Sequence, residues 1–114
     1  MSALTINGEK FRYETDNEAN CGGTSLMGTI VTDYFTLVEK FGEPMTYTED
    51  TGDGKVTVEW VIEFMNEETY ELKYATIYDW KQYELGTPYG QYDWHIGGRS
   101  SDVVELITAI VKGA

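Results

Sequence analysis

The sequence predicts an α+β domain in which an antiparallel β-sheet carries two helices on one face. Three observations lead to this class. Apolar and polar residues alternate in several short segments, as in strands with one solvent-facing side. Two other segments place apolar residues at helical spacing between capping residues. The 114 residues are 41% hydrophobic, which is enough to form one buried core, so we expect a single domain over residues 1–114.

The first predicted element is a β-hairpin. Leu4-Thr5-Ile6 and Phe11-Arg12-Tyr13 flank Asn7-Gly8, a dipeptide that favours a tight type I′ turn. The polar stretch from Glu14 to Gly23 indicates a loop. Ser25 to Val31 fits either a short strand or the entry to a helix, and its β-branched residues favour a strand.

The first helix is predicted from Asp33 to Phe41. Thr32 or Asp33 can cap its N-terminus, and its apolar residues fall on one stripe. Gly42 supplies a left-handed C-cap, and Pro44 prevents the helix from continuing. The stripe consists of Tyr34, Leu37, Val38 and Phe41.

A three-stranded meander and a second helix complete the prediction. The strands are expected at Val56–Phe64, at about Thr69–Trp80 after a turn at Asn66–Glu68, and at Tyr92–Ile96. The helix is expected from Asp102 to Val111, with Ser100 or Ser101 as its cap. Its apolar stripe consists of Val103, Leu106, Ile107 and Ile110.

The charge balance argues against several classes of partner. Twenty acidic residues against eight basic ones give a formal net charge of −12, with a pI near 4.2. Such a surface repels nucleic acid and anionic membrane, and it either favours a basic protein partner or serves only to keep the protein soluble. No apolar run is long enough to span a bilayer, and residues 1–10 do not resemble a secretory signal. The single cysteine, Cys21, is consistent with a reducing cytoplasm.

Short strings of residues resemble two known groups. The helix at Asp33–Phe41, the FGEP at Phe41–Pro44 and Trp60 resemble the repeat of β-lactamase inhibitor proteins and of small outer-membrane assembly lipoproteins. A broader resemblance is to small uncharacterised proteins of tailed bacteriophages. It rests on the strings GTSLMG, FGEP, VEWVIEF, ATIYDWK and WHIGG. This second resemblance implies a phage protein acting in the cytoplasm of an infected bacterium, and it transfers no catalytic residue.

No arrangement of reactive residues predicts catalysis, a metal site or a cofactor. His95 is the only histidine, and one histidine with one cysteine does not complete a zinc site. Acidic neighbours of Cys21 disfavour a reactive thiolate. The acidic segment Glu49–Gly54 lacks the ligand spacing of a calcium loop. The sequence contains no Gly-x-Ser-x-Gly, His-Glu-x-x-His or phosphate-loop lysine motif.

The leading hypothesis is a non-enzymatic phage inhibitor that binds a host nucleic-acid-binding defence protein by acidic mimicry of DNA. Duplex DNA carries one charge per ~1.7 Å of its axis, so a mimic needs rows of carboxylates. The candidate rows lie on the solvent face of the first meander strand, beyond the following turn, and in the acidic segment before the strand. They consist of Glu59, Glu63, Glu67, Glu68, Glu71, Glu49, Asp50 and Asp53.

The alternative hypothesis is a sponge that sequesters a small nucleotide signal. A glycine pair followed by hydroxyl residues can bind an anion where a helix begins, although such turns more often serve only as helix caps. Aromatic residues nearby could stack on the base, or they could simply pack the intervening loop. The candidate residues are Tyr78, Trp80, Lys81, Trp94, Gly97, Gly98, Arg99, Ser100 and Ser101. The sequence leaves the oligomeric state open.

Overall fold

The computed structural model describes residues 2–16, 25–46, 58–79 and 90–112. Seven strands of these residues form one sheet, and every described pairing is antiparallel. Two helices complete the described fold, so the predicted α+β class is confirmed. The elements are β1 (Ser2–Ile6), β2 (Glu9–Thr15), β3 (Ser25–Thr32), α1 (Tyr34–Phe41), β4 (Met45–Thr46), β5 (Val58–Asn66), β6 (Leu72–Tyr78), β7 (Tyr92–Gly98) and α2 (Asp102–Val111).

The order of strands across the sheet is β1-β2-β5-β6-β7-β3, and β4 pairs with the first residues of β5. The segment from Ser25, which the sequence left open, is therefore a strand, and it pairs with β7. In the β1–β2 turn, Asn7 has φ 51° and Gly8 has φ 81°. Two positive φ values in succession are the requirement of a type I′ turn, so the predicted hairpin turn is confirmed.

The register of β5, β6 and β7 separates the sheet into two faces. Trp60 lies opposite Ile77, and Ile77 lies opposite Ile96, so these buried side chains share one face. Both helices contact this face. The rings of Tyr34 and Trp60 are 5.7 Å apart, and a Cβ at Gly98 would lie 2.7 Å from a methyl group of Val103. The core therefore lies between this face and the helices.

Helix α1 begins and ends close to the predicted bounds. The Oδ1 atom of Asp33 accepts a hydrogen bond from the Thr36 amide at 2.7 Å, which makes Asp33 the N-cap and Tyr34 the first helical residue. At the other end, the Gly42 amide donates to the Val38 carbonyl at 2.7 Å, and Gly42 has φ 82°. The carbonyl of Gly42 accepts from the indole of Trp60, which ties the end of α1 to β5.

Helix α2 spans the predicted residues, but its predicted side-chain cap is wrong. Ser101 occupies the N-cap position and makes no capping hydrogen bond through its side chain. The Ser100 hydroxyl instead donates to the Asp102 carboxylate. The predicted apolar stripe of this helix is buried, with Ile107 fully so.

The predicted bounds of the meander strands need correction. Strand β5 continues to Asn66, whose side-chain oxygen accepts from the Glu68 and Thr69 amides at 2.8 and 3.1 Å. Tyr70 has φ 63°, so the backbone is still turning there, and β6 begins at Leu72 instead of Thr69. The predicted strand start at Val56 and end at Trp80 lie outside the described residues.

Strand β7 is longer than predicted, because it includes Gly97 and Gly98. A Cβ at Gly97 would lie 2.6 Å from the Thr76 hydroxyl oxygen. The glycine pair is therefore required by close packing on both faces of the sheet, and the turn that the sequence predicted at these residues is wrong.

Candidate functional site

The face of the sheet opposite the helices, here called the helix-free face, carries rows of side chains that run across the strands. An outer row consists of Ala3, Arg12, Met65 and Leu72, so the face includes a base. Three inner rows, called first, middle and third, lie beside it. The register places residues of neighbouring strands side by side, so each row can be followed from strand to strand. The first row consists of Glu14, Glu63 and Tyr74, the middle row of Val61, Thr76 and Gly97, and the third row of Glu59, Tyr78 and His95.

The first row brings two carboxylates together. Glu14 on β2 lies directly opposite Glu63 on β5 in the antiparallel ladder. Side chains in such positions have Cβ atoms about 4.5–5.5 Å apart, and like charges there destabilise the sheet. The hydroxyl of Tyr74 donates to Oε2 of Glu63 at 3.2 Å. Burial and this hydrogen bond to Glu63 raise the pKa of Tyr74 above its usual value, so Tyr74 stays a neutral donor.

The third row pairs a carboxylate with two aromatic rings. Glu59 lies opposite Tyr78, and Tyr78 lies opposite His95. The rings of Tyr78 and His95 meet edge to face, with centroids 5.4 Å apart. Burial, followed by the charge of Glu59, raises the pKa of Tyr78. His95 therefore belongs to a packed aromatic contact.

The middle row is formed by small side chains. Val61 is 1% exposed and Thr76 is 2% exposed, although the sequence pattern places Val61 on the solvent side. Gly97 completes the row and brings β7 against the hydroxyl of Thr76. Within the inner rows, the larger side chains therefore stand on either side of a buried middle row.

The remaining predicted acids are only partly gathered on this surface. Glu67 forms an ion pair with Arg12 at 2.6 Å, and Glu71 lies 3.7 Å from the ammonium of Lys73. Glu68 is exposed in the turn between β5 and β6. Glu49, Asp50 and Asp53 lie outside the described residues.

Sequence reasoning missed Glu14, because it assigned that residue to a loop. The alternation of Phe11, Arg12, Tyr13 and Glu14 was a usable signal, since it continues the strand by one more outward residue. Its position opposite Glu63 depends on the pairing of β2 with β5, strands that are distant in sequence.

The described residues of the predicted nucleotide site are not brought to one place. Trp94 is 0% exposed, and its indole donates to the Thr32 carbonyl at 3.1 Å on the helix-covered side. Tyr78 lies on the helix-free face, so the two rings cannot flank one base. Gly97 and Gly98 are strand residues, and Ser101 makes no side-chain cap. Trp80 and Lys81 lie outside the described residues.

Arg99 and Ser100 do line a cavity of about 380 Å³ beside the start of α2. The charged residues in its lining are two bases, Lys73 and Arg99, and two acids, Glu71 and Asp102. The ammonium of Lys73 binds the Asp102 carboxylate. This contact raises the pKa of Lys73 above its usual value. Burial by itself would raise the pKa of Asp102, but the hydrogen bonds from Lys73 and Ser100 hold that pKa below its usual value. The cavity is therefore balanced in charge.

The described parts of the chain contain no group of three metal-binding side chains and no helix long and apolar enough to cross a membrane. Cys21 and the acidic segment Glu49–Gly54 are not among the described residues, so the interpretations given to them stay predictions.

Comparison with known proteins found no matching family model, no matching curated protein and no matching solved structure. The resemblance to small phage proteins and to the β-lactamase inhibitor repeat therefore stays a prediction from the quoted strings.

Proposed function

We propose that this protein is a non-catalytic inhibitor that binds the basic nucleic-acid-binding surface of another protein through its helix-free face. The observation that carries the proposal is the direct opposition of Glu14 and Glu63. Two like charges at this separation weaken the sheet, and a cation placed over them would remove the repulsion. A basic partner supplies such cations.

The carboxylates of β5 form a sparse acidic row, about four times less dense than the phosphates of one DNA strand, so they support attraction of a basic surface by charge and not a close copy of DNA. A strand rises about 3.4 Å per residue, which equals the rise per base pair of one DNA strand. Glu59 and Glu63 are four residues apart on β5, so they stand about 13 Å apart along a nearly straight line. Glu14 adds a negative charge on the neighbouring strand, where Arg12, which is paired with Glu67, stands two residues away on the same face.

The net charge of −12 supports the same class of partner. Electrostatic complementarity accelerates encounter with a basic protein and repels competing anions such as free nucleic acid. The earlier resemblance to phage proteins suggests a host defence or housekeeping protein as the partner, in the cytoplasm of an infected bacterium. Under this proposal the protein needs no cofactor and acts by occupying a site.

The alternative, sequestration of a small nucleotide, has less support. Its aromatic residues Tyr78 and Trp94 lie on opposite faces of the sheet. The cavity beside Arg99 holds as many acids as bases, so it offers no net attraction for a phosphate.

The proposal is tested by binding to a panel of purified basic bacterial nucleic-acid-binding proteins, with an acidic protein as the negative control. We expect the wild-type protein to bind at least one basic member, and we expect duplex DNA to compete for the same site. The double variant Glu59→Lys/Glu63→Lys should lose this binding. The matched control Glu39→Lys/Glu105→Lys reverses two exposed helical acids and should retain it.

Two results would overturn the proposal. One is failure of every basic protein in the panel to bind the wild type. The other is equal loss of binding in both double variants, since that would make total charge, and not the helix-free face, responsible. Circular dichroism of each variant establishes that the fold is intact.

A further inference from the structure

Strand β3 forms one edge of the described sheet, where it pairs with β7 alone. The outer side of an edge strand presents backbone N–H and C=O groups that can pair with a strand of another molecule. Proteins prevent such pairing with charged side chains, proline, bulges or a covering segment. The eight residues of β3 include neither a charged residue nor a proline. Side chains of the strand itself therefore supply no charge against edge-to-edge association.

The two halves of β3 differ in regularity. The register with β7 shifts between Leu26 and Gly28, and a bulge of this kind bends a strand and interrupts its pairing. From Gly28 to Thr32 the register continues without a break. The side chain of Val31 in this half is 52% exposed. The regular half is therefore the part of the edge with which another strand could pair.

The hydrogen-bond ladder determines the direction of the Val31 carbonyl. The Val61 carbonyl accepts from the Asp16 amide, so it points from β5 towards β2. In an antiparallel sheet, opposite residues point either towards or away from each other, and the two arrangements alternate along the strands. Followed through the registers of β5, β6, β7 and β3, this alternation directs the backbone groups of Val31 away from β7. Val31 therefore presents its N–H and C=O on the outer side of the edge.

The end of α2 covers this position. The ammonium of Lys112 donates a hydrogen bond to the Val31 carbonyl at 2.9 Å. A Cβ at Gly28 would lie 2.9 Å from a methyl group of Val104, so α2 packs directly on β3. Eight residues of helix, from Val104 to Lys112, rise about 12 Å, and three residues of strand, from Gly28 to Val31, rise about 10 Å. The helix therefore carries Lys112 to the level of Val31.

We propose that Lys112 blocks the outer edge of β3 and keeps the protein monomeric, and that the occupant it excludes is β3 of a second copy. Two copies of one strand related by a twofold axis pair antiparallel through identical surfaces. β3 carries no charge in a protein of net charge −12, so it brings no opposed carboxylates to such a pairing. A basic partner would gain no charge complementarity from this strand. The proposal does not depend on the function proposed above.

Sedimentation velocity of Lys112→Met tests the blocking contact. Methionine keeps the length and the helix preference of lysine but cannot donate to the carbonyl. We expect this variant to dimerise at concentrations at least about tenfold below any at which the wild type does, because no charged hydrogen bond has to be broken first. The conservative variant Lys112→Arg can still donate and should stay monomeric. The matched control Lys40→Met removes an exposed lysine at the end of α1 and should also stay monomeric.

Substitutions at Val31 locate the contact between the two copies. In the Lys112→Met background, Val31→Lys places a charge on the edge strand and should restore the monomer. The control Val31→Thr keeps a β-branched, uncharged side chain at the same position and should leave the dimer intact. Circular dichroism of each variant establishes that the fold is retained.

Four results would overturn the proposal. The first is a wild type that already dimerises through β3, since Lys112 would then block nothing. The second is a Lys112→Met protein that associates no more than Lys40→Met does. The third is a dimer that persists in Lys112→Met/Val31→Lys, because its contact would lie elsewhere. Larger assemblies in place of a dimer would show that β3 pairs with another part of the chain, so that its occupant is not a second β3.

Discussion

Neutralising one member of the opposed carboxylate pair tests whether the helix-free face is under electrostatic strain. The substitution Glu14→Gln keeps the size of an exposed side chain and removes its charge next to Glu63. Two unit charges about 6 Å apart in water repel each other by roughly 0.7 kcal/mol at low ionic strength. A gain of that size raises the Tm of a domain of this length by about 2–4 °C.

Differential scanning fluorimetry and urea denaturation in low salt measure this gain. Repetition in about 1 M salt, where the Debye length falls to ~3 Å, should reduce it towards zero. The control Glu39→Gln neutralises an exposed acid on α1 and accounts for the general benefit of lowering a charge of −12. A Glu14→Gln gain no larger than that of the control, or one that does not change with salt, would refute the reasoning.

Two further predictions concern the region around α2. Gly98→Ala should destabilise the protein by about 1–3 kcal/mol, because the new methyl group would meet Val103 at 2.7 Å. The control Gly90→Ala places a methyl group where no atom lies within 4 Å, so it should change stability by less than about 0.5 kcal/mol. Equal stability of the two variants in urea denaturation would contradict the packing role of Gly98. Asp102→Asn should lower the free energy of unfolding by about 0.5–1 kcal/mol at pH 7, because it removes the ion pair with Lys73. The loss is small because that pair is partly exposed. The pKa of Asp102 is lowered in the folded state, so its contribution is present above its unfolded pKa of about 3.9 and is lost as the pH falls through the lower folded value. The difference between wild type and Asp102→Asn should therefore shrink below about pH 4, and a difference that stays constant down to lower pH would contradict this origin.

The parts of the fold that local chemistry determines were predictable from the sequence. Asn7-Gly8 satisfies the backbone of its turn without help from the rest of the chain. Helix α1 is bounded by Asp33 and Gly42, which make their capping bonds within the helix itself. The bounds of α2 were also predictable, because the spacing of its apolar stripe is a property of that segment alone.

The parts that depend on contacts between distant segments were not predictable in the same way. Gly97 and Gly98 have the composition of a turn, but Thr76 and Val103 require glycine at these positions of a strand. Trp94 lies next to polar residues in sequence, and only the pairing of β7 with β3 and β6 places it in the core. The opposition of Glu14 and Glu63 follows from a strand pairing that sequence alternation does not specify.

The candidate site likewise has parts that the sequence could predict and parts that it could not. The alternation within β5 was sufficient to place Glu59 and Glu63 on one face. It could not reveal that each of them lies beside a tyrosine, because that depends on the register between β5 and β6. It also could not show that Glu67 is paired with Arg12.

The most direct measurement is the ratio of the dissociation constants that wild type and Glu59→Lys/Glu63→Lys show for one basic nucleic-acid-binding protein. Reversal of two charges at the centre of the contact should weaken binding by about a hundredfold or more, while Glu39→Lys/Glu105→Lys changes it by less than about tenfold. A ratio near one for the sheet variant, with the protein still bound, would show that the partner docks elsewhere.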